Sequence, residues 1–330
     1  MKAFDYHRAA DLGSAAADGA RPDTRFLAGG TTLVDLMKLN VERPSHVVDI
    51  TRIAGLDAIT VSADVIRIGA LAKMSRVADH AGVKDAAPAL SESLWRAASA
   101  QLRNMASIGG NLLQRTRCTY FRDPGAHANC NKRSPGSGCA AIDGVNRNHA
   151  VLGTSDACIA SYPGDFAVAL TAFGARIIVG GASSRSIPVD DFFLLPGATP
   201  HIETRLAAGE LIVAIEIPRS AALRRSHYLK VRDRASYEFA AASAAVGLEL
   251  EADGKTIREV RIAMGGVATK PWRLRAVEAA LKGKRLDETT LRAAATGAIA
   301  GAKSSGHNAF KIELAPKVVA RALMIAGEIA

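Results

Sequence analysis

The sequence is poor in aromatic residues, which make up 5% of its 330 positions, and it has only four cysteines and two tryptophans. No apolar run approaches the ~20 residues that a bilayer-spanning helix needs, which argues against a helical membrane protein. The opening stretch Met1-Lys2-Ala3-Phe4-Asp5-Tyr6-His7-Arg8 lacks the apolar segment of a secretory signal, so the chain is expected to carry no export signal of its own. None of the eight histidines stands beside a Ser or Cys in a nucleophile motif, and no pair of carboxylates is arranged for hydrolysis. Helix-turn-helix and finger signatures are also missing. The net charge of +10 therefore points to a partner subunit or an anionic nucleotide rather than to DNA.

What is present is ordinary in bulk and specific in detail. An apolar fraction of 48% and a charged fraction of 22% suit a globular chain long enough for two or three domains. Two glycine-rich turns stand out, Leu27-Ala28-Gly29-Gly30-Thr31-Thr32-Leu33 and Ser107-Ile108-Gly109-Gly110-Asn111-Leu112. Gly-Gly also marks plain turns. Glycine nevertheless lets a backbone approach a ligand closely, and successive N–H groups form an anion-binding concavity. Two such turns in one chain suggest a diphosphate held from both sides.

Residues 1–60 read as helix, strand, glycine turn, helix and strand, with a helix from Leu33 to Lys38 and a strand at His46 to Ile50. A strand at Val65 to Gly69 leads through a long amphipathic stretch, about 85–103, into the second turn. This alternation implies an α/β arrangement. Between 115 and 163 no period persists. Beyond it come a helix at Asp165 to Phe173, strands at Ala175 to Val179 and Leu211 to Ile217, and a stop at Pro218. A third region, from 219, carries strands near 241–250 and 258–264, a hairpin turn at Ala252-Asp253-Gly254-Lys255, and helices near 273–282, 287–302 and 315–329.

All four cysteines lie in the irregular segment, as Cys118, Cys130, Cys139 and Cys158, spaced C-x11-C-x8-C-x18-C with no C-x-x-C pair. Four thiolates complete a ligand set for zinc or for an iron–sulfur cluster, and ligand softness does not separate the two; unconnected thiols are the third reading. Gly136-Ser137-Gly138 offers backbone donors beside Cys139, and Arg117, Lys132 and Arg133 could offset thiolate charge.

With these features in place, the chain resembles the FAD-binding medium subunits of the molybdenum hydroxylases, the family of xanthine dehydrogenase, carbon monoxide dehydrogenase and aldehyde oxidoreductases. The two glycine turns match its flavin-diphosphate motifs, and Ser161-Tyr162-Pro163-Gly164-Asp165-Phe166-Ala167 is similar to its third motif. Asp191-Phe192-Phe193, Leu195-Pro196-Gly197, Gly209-Glu210-Leu211-Ile212 and Glu216-Ile217-Pro218 follow the same pattern. The insertion at 115–160 resembles the subgroup of aldehyde oxidoreductases whose flavin subunit carries a [4Fe–4S] cluster. The flavin subunits of 4-hydroxybenzoyl-CoA reductase and of xanthine dehydrogenase are the neighbouring alternatives, with a stand-alone flavoenzyme of the same fold behind them.

The resemblance implies a two-subdomain FAD-binding fold of the vanillyl-alcohol-oxidase type at 1–60 and 61–218, followed by a C-terminal α+β domain at 219–330. It implies FAD on Leu27, Ala28, Gly29, Gly30, Thr31, Thr32, Leu33, Ser107, Ile108, Gly109, Gly110, Asn111, Thr154, Ser155, Asp165 and Lys230. It makes Cys118, Cys130, Cys139 and Cys158 the ligands of a [4Fe–4S] cluster. A large partner would hold the molybdenum cofactor and oxidise the substrate, and a small partner would hold [2Fe–2S] clusters. Electrons would leave through FAD to an external acceptor, with no catalytic residue in this chain. Location would follow a partner bearing a twin-arginine signal to the periplasm, or be cytoplasmic.

Finer expectations concern single side chains. Asp165 either meets ribitol or ribose hydroxyls or starts a helix. Lys230 and Arg232 either face the isoalloxazine or sit on a solvated strand edge. Tyr237 is expected in the core, with the flavin edge as the alternative, and His149 is read as a loop residue, with contact to the cluster region as the alternative. Met37, Met74, Met105 and Met264 are read as core filler.

Overall fold

The computed structural model describes residues 1–181 and 184–329. Three sheets organise them. The first is parallel, formed by β1 (Asp5–Arg8), β2 (Thr24–Leu27) and β3 (His46–Asp49) in the order β1-β3-β2. Helix Leu12–Gly19 makes the first crossover, started by a capping box in which Asp11 accepts from the Ser14 amide while the Ser14 hydroxyl faces the Asp11 amide. The second crossover contains the first glycine turn and helix Leu33–Lys38.

The second sheet holds β4 (Ile59–Val61), β5 (Val65–Gly69), β6 (Arg176–Gly180), β7 (Arg185–Pro188) and β8 (Leu211–Pro218), in the order β4-β5-β8-β6-β7. Every neighbouring pair in it is antiparallel. The α/β alternation expected from the sequence therefore describes the first sheet and not the second. Its β5 pairs with β8 across the whole irregular segment, a long-range pairing that local periodicity does not report.

The third sheet is an antiparallel set of β9 (Ser226–Val231), β10 (Ala242–Leu250), β11 (Ile257–Gly265) and β12 (Trp272–Arg273), in the order β12-β11-β10-β9. One face packs on helices Arg275–Leu281, Glu288–Ala295 and Phe310–Ala326 around Val246, Ile262, Val319 and Leu323. The other meets helix Phe166–Ala172, all seven residues of which are buried, in a core shared with Ile66, Ile68, Ile177 and Ile215 of the second sheet. This shared core fixes the third sheet against the second.

Two expectations change. The stretch 85–103 is three helices, Ala81–Ala86, Pro88–Trp95 and Ala100–Met105. Ala87 precedes Pro88 and is held at φ −157°, because proline disfavours helical geometry in the residue before it. Ala98, at φ +50°, makes the second break. The first strand, Asp5–Arg8, is exposed along its length and carries no alternation for a sequence reading to find. Met37, Met74 and Met264 are in the core, whereas Met105 is 55% exposed.

Candidate functional site

The two glycine turns meet. A Cβ on Gly29 would lie 2.2 Å from the Met105 carbonyl oxygen, an obstacle of backbone that cannot turn aside. Gly30 takes φ +73°, the left-handed region that glycine enters without strain. On the other side, Gly109 sits against Ala70, where an added Cβ would be 3.0 Å from the Ala70 Cβ. Gly29 thus lets the first turn close on the backbone leading into the second, and Gly109 lets the second turn close on Ala70.

Their backbone donors are used differently. Among the described residues, none accepts a hydrogen bond from the amides of Gly29, Gly30, Thr31 and Thr32. Those of the second turn are occupied: Ile108 donates to Ala72 O, Gly109 to Ala70 O, Gly110 to Ser107 Oγ and Asn111 to Ser107 O. Ser107 is thus the cap of helix Ile108–Leu112. What the second turn presents is the Asn111 side chain, whose Oδ1 is buried without a partner. The helices that follow the turns have six and five residues, so local groups rather than a long helix dipole define the field here.

Below the turns a groove of about 530 Å³ is lined by Thr31, Asn111, Gln114, Asp165, Lys230 and Tyr237, among others. Asp165 and Lys230 form an ion pair at 2.8 Å with both side chains buried. Tyr228 Oη donates to the other Asp165 oxygen at 2.6 Å, and Lys230 Nζ also donates to Arg96 O. Burial pushes the Asp165 carboxyl up, opposed by Lys230 and Tyr228. The side chain of Asp165 caps no helix, and Lys230 lies on no solvated edge. Arg232 points to the carbonyls of Arg96 and Ala235.

The rim is where the sequence misled. Tyr237 is not in the core; it is 56% exposed at φ +53°, a strained conformation for a bulky residue. Arg234 lies over its ring and donates to its carbonyl. Phe239 joins it on the rim with Arg117 stacked on the ring, and neither residue had a local signal beyond an apolar or basic letter in a polar run. Leu27 ends β2, and Ala28 and Leu33 flank the first turn. Thr154 and Ser155 do not line the groove: Ser155 Oγ donates to Gly197 O and its backbone pairs with Cys158, next to the cysteines.

The irregular segment is a structured loop. Cys130 and Cys139 face each other in an isolated bridge, Ser155 and Cys158 form another, and Thr119–Arg122 makes one helical turn. The basic residues that crowd it act as staples. Arg115 pairs with Glu42 and Glu203, Lys132 with Glu203, Arg117 and Arg122 with Asp35, and Arg133 donates to the carbonyls of Tyr120, Phe121, His127 and Ala128. The backbone amides of Ser137 and Gly138 are occupied by Ser134 O and Asn131 Oδ1 rather than by sulfur.

All four cysteines are free thiols, and all four line one small enclosed cavity. Among the described residues, no three His, Cys, Asp or Glu side chains converge tightly enough to hold a single metal ion. A zinc site, with its sulfurs about 2.3 Å from one centre, is therefore not formed. Burial, with Cys130 and Cys158 close by, pushes the Cys118 thiol up to about 12. His149 Nε2 stands 3.1 Å from Cys118 Sγ, and burial together with Lys311 pushes this imidazole down to about 4. A second polar cavity, of about 170 Å³, runs from Cys118 and His149 to Asp165 and so joins the cysteine loop to the groove.

The chain is similar to known proteins along nearly its whole length. A family model for the FAD binding domain in molybdopterin dehydrogenase matches residues 2–220, and one for the CO dehydrogenase flavoprotein C-terminal domain matches residues 227–326. The chain is 46% identical over 329 residues to PaoB, an aldehyde oxidoreductase FAD-binding subunit of Escherichia coli K12, covering 98% of both chains. It is 28% identical to the carbon monoxide dehydrogenase medium chain of Hydrogenophaga pseudoflava, over 97% of this chain and 96% of that one. A solved structure of the carbon monoxide dehydrogenase from the same organism, lacking the Mo-pyranopterin moiety, matches with a TM-score of 0.76 at 27% identity, covering 99% of this chain and 98% of that one. Quinoline 2-oxidoreductase of Pseudomonas putida 86 matches at 0.75 and 26%, covering 99% of both chains.

Proposed function

The chain belongs to the FAD-binding medium subunits of the molybdenum hydroxylases, and from that premise we propose that it carries electrons through FAD in an aldehyde-oxidising complex. As a component of an oxidoreductase it leaves oxidation of the aldehyde to a large subunit with a molybdenum cofactor. A small [2Fe–2S] subunit delivers the electrons, and an external acceptor removes them. The observation that carries the reading is a groove with free backbone amides at one end and a buried, carboxylate-paired lysine in its wall.

Bound FAD supplies the exchange of electrons singly or in pairs. The protein supplies its hold. The amides of Gly29 to Thr32 receive the diphosphate, and the Asn111 amide group completes its own hydrogen bonding on the nucleotide. Asp165 retains lone pairs for a ribitol hydroxyl while it fixes Lys230. Lys230, held by Asp165, would offer a bound flavin a cationic N–H donor. Tyr237 and Phe239, exposed on the rim, would cover the edge of a flavin bound there. Cys118, Cys130, Cys139 and Cys158 hold a [4Fe–4S] cluster, a reading supported by four free thiols around one cavity.

The test is to assemble the three-subunit complex and add an aldehyde without an acceptor. Bleaching of the flavin absorbance is the expected result. A fully loaded complex whose flavin stays oxidised while the molybdenum centre turns over would contradict the relay role.

A further inference from the structure

We propose that His149 is a positioning residue for the cysteine site, its Nε2–H donating a hydrogen bond to Cys118 Sγ and thereby raising the reduction potential of the cluster held there. The inference rests on the [4Fe–4S] reading given above. His149 is 5% exposed and its Nε2 is 3.1 Å from the sulfur. Its backbone is clamped from both sides. The His149 amide donates to Asn146 O, and the buried Asn146 side chain donates to Ser305 O and accepts from the His307 amide. Next in the chain, Ala150 O accepts from Asn308 Nδ2. The ring is thus carried on a strut between the loop and the segment that leads into helix Phe310–Ala326, with Tyr120 alongside at 6.2 Å between centroids.

Hydrogen-bond accounting fixes which nitrogen carries the hydrogen. Nδ1 is buried and has no partner. A hydrogen there would face the Asn146 carbonyl, which already accepts from the His149 amide, without hydrogen-bond geometry, while Nε2 would turn a lone pair on a thiolate. With the hydrogen on Nε2 the contact becomes a charge-assisted N–H···S bond, and only an acceptor is left unfilled. Among the described residues, His149 is the one side chain in hydrogen-bond contact with a cysteine sulfur. Cys158 Sγ accepts from the Ala160 amide at 3.4 Å, and no side chain donates to Cys130 or Cys139. Hydrogen bonds to ligand sulfur favour the more negative, reduced cluster, which raises its potential. Cys118 also borders the polar cavity that leads to Asp165, so the tuned ligand is on the groove side of the site.

The experiment uses the assembled complex, wild type and His149→Phe, which keeps a flat ring and removes the donor. Iron and sulfide are assayed first; about four of each per chain in both proteins is expected for the cluster. An EPR-monitored redox titration then gives the cluster potential. A shift to more negative potential in H149F, reversed in part by His149→Gln, supports the proposal; an intact cluster with an unchanged potential overturns it. Pulsed EPR on the reduced wild type, with and without ¹⁵N-histidine, is read even where H149F fails to assemble. Weak coupling to an imidazole nitrogen is expected, and its absence overturns the hydrogen bond. Wild-type protein without iron would overturn the cluster reading itself and this inference with it, a result the iron assay separates from the others.

Discussion

At the scale of the residue, contacts in the groove decide the outcome of single substitutions. Gly29→Ala places a methyl group 2.2 Å from the Met105 carbonyl, so one of the two turns must move. The expected result is loss of bound FAD and a destabilisation of about 1–3 kcal/mol, read by flavin content and by urea denaturation. Lys230→Met leaves the buried Asp165 without its counter-charge, with only the Tyr228 hydroxyl donating to it; breaking such a pair costs roughly 3–5 kcal/mol. Adding Asp165→Leu to that variant should recover much of the stability without recovering the flavin. Lys311 gives a pH signature. It is 1% exposed, and burial pushes its amine down from the ordinary 10.5 to about 8. Between these values the unfolded chain holds a proton that the folded chain lacks, so stability rises with pH across that window, by at most about 1.4 kcal/mol per pH unit. Below about 8 both states are charged and the penalty is constant. Lys311→Met should remove this slope from a series of urea midpoints.

At the scale of the element, helix caps and breaks set the turns in place. Ser107 caps helix Ile108–Leu112, and Ser107→Ala should cost about 1 kcal/mol and loosen the second turn, seen as a lower FAD affinity. The sequence was most legible where one element is local: Leu33–Lys38 and Val65–Gly69 are found where periodicity and glycine place them. It was least legible where the cause is distant. Pro88 splits a stretch that reads as one amphipathic helix, and Asp5–Arg8 is a strand only because β3 lies beside it. The motif turns announced themselves, yet the use of their amides did not. Only the fold shows that Ile108 and Gly109 donate to Ala72 and Ala70, which leaves the first turn as the open one. Tyr237 likewise reads as core from its chemistry, and its exposure follows from a strained loop that the letters do not encode.

At the scale of the whole molecule, three sheets and one long loop bring the groove and the four cysteines together in one chain. The groove runs from the crossover after β2, at Thr31 and Asp35, to Lys230 of β9, and the cysteine loop is stapled to that crossover through Asp35 and Glu42 and to the loop at Glu203. The polar cavity from Cys118 to Asp165 links the two sites, so a defect in one is predicted to leave the other assembled while interrupting traffic between them. The most direct test is the FAD, iron and acid-labile sulfide content of the co-expressed complex, for the wild type and for Cys139→Ser. The account predicts about one FAD and four iron for this chain in the wild type, beyond the iron of the small subunit, with FAD kept and the cluster iron lost in C139S. A wild-type chain that binds FAD without that iron would contradict the two-site account, and one that binds neither would contradict the electron-carrier reading as a whole.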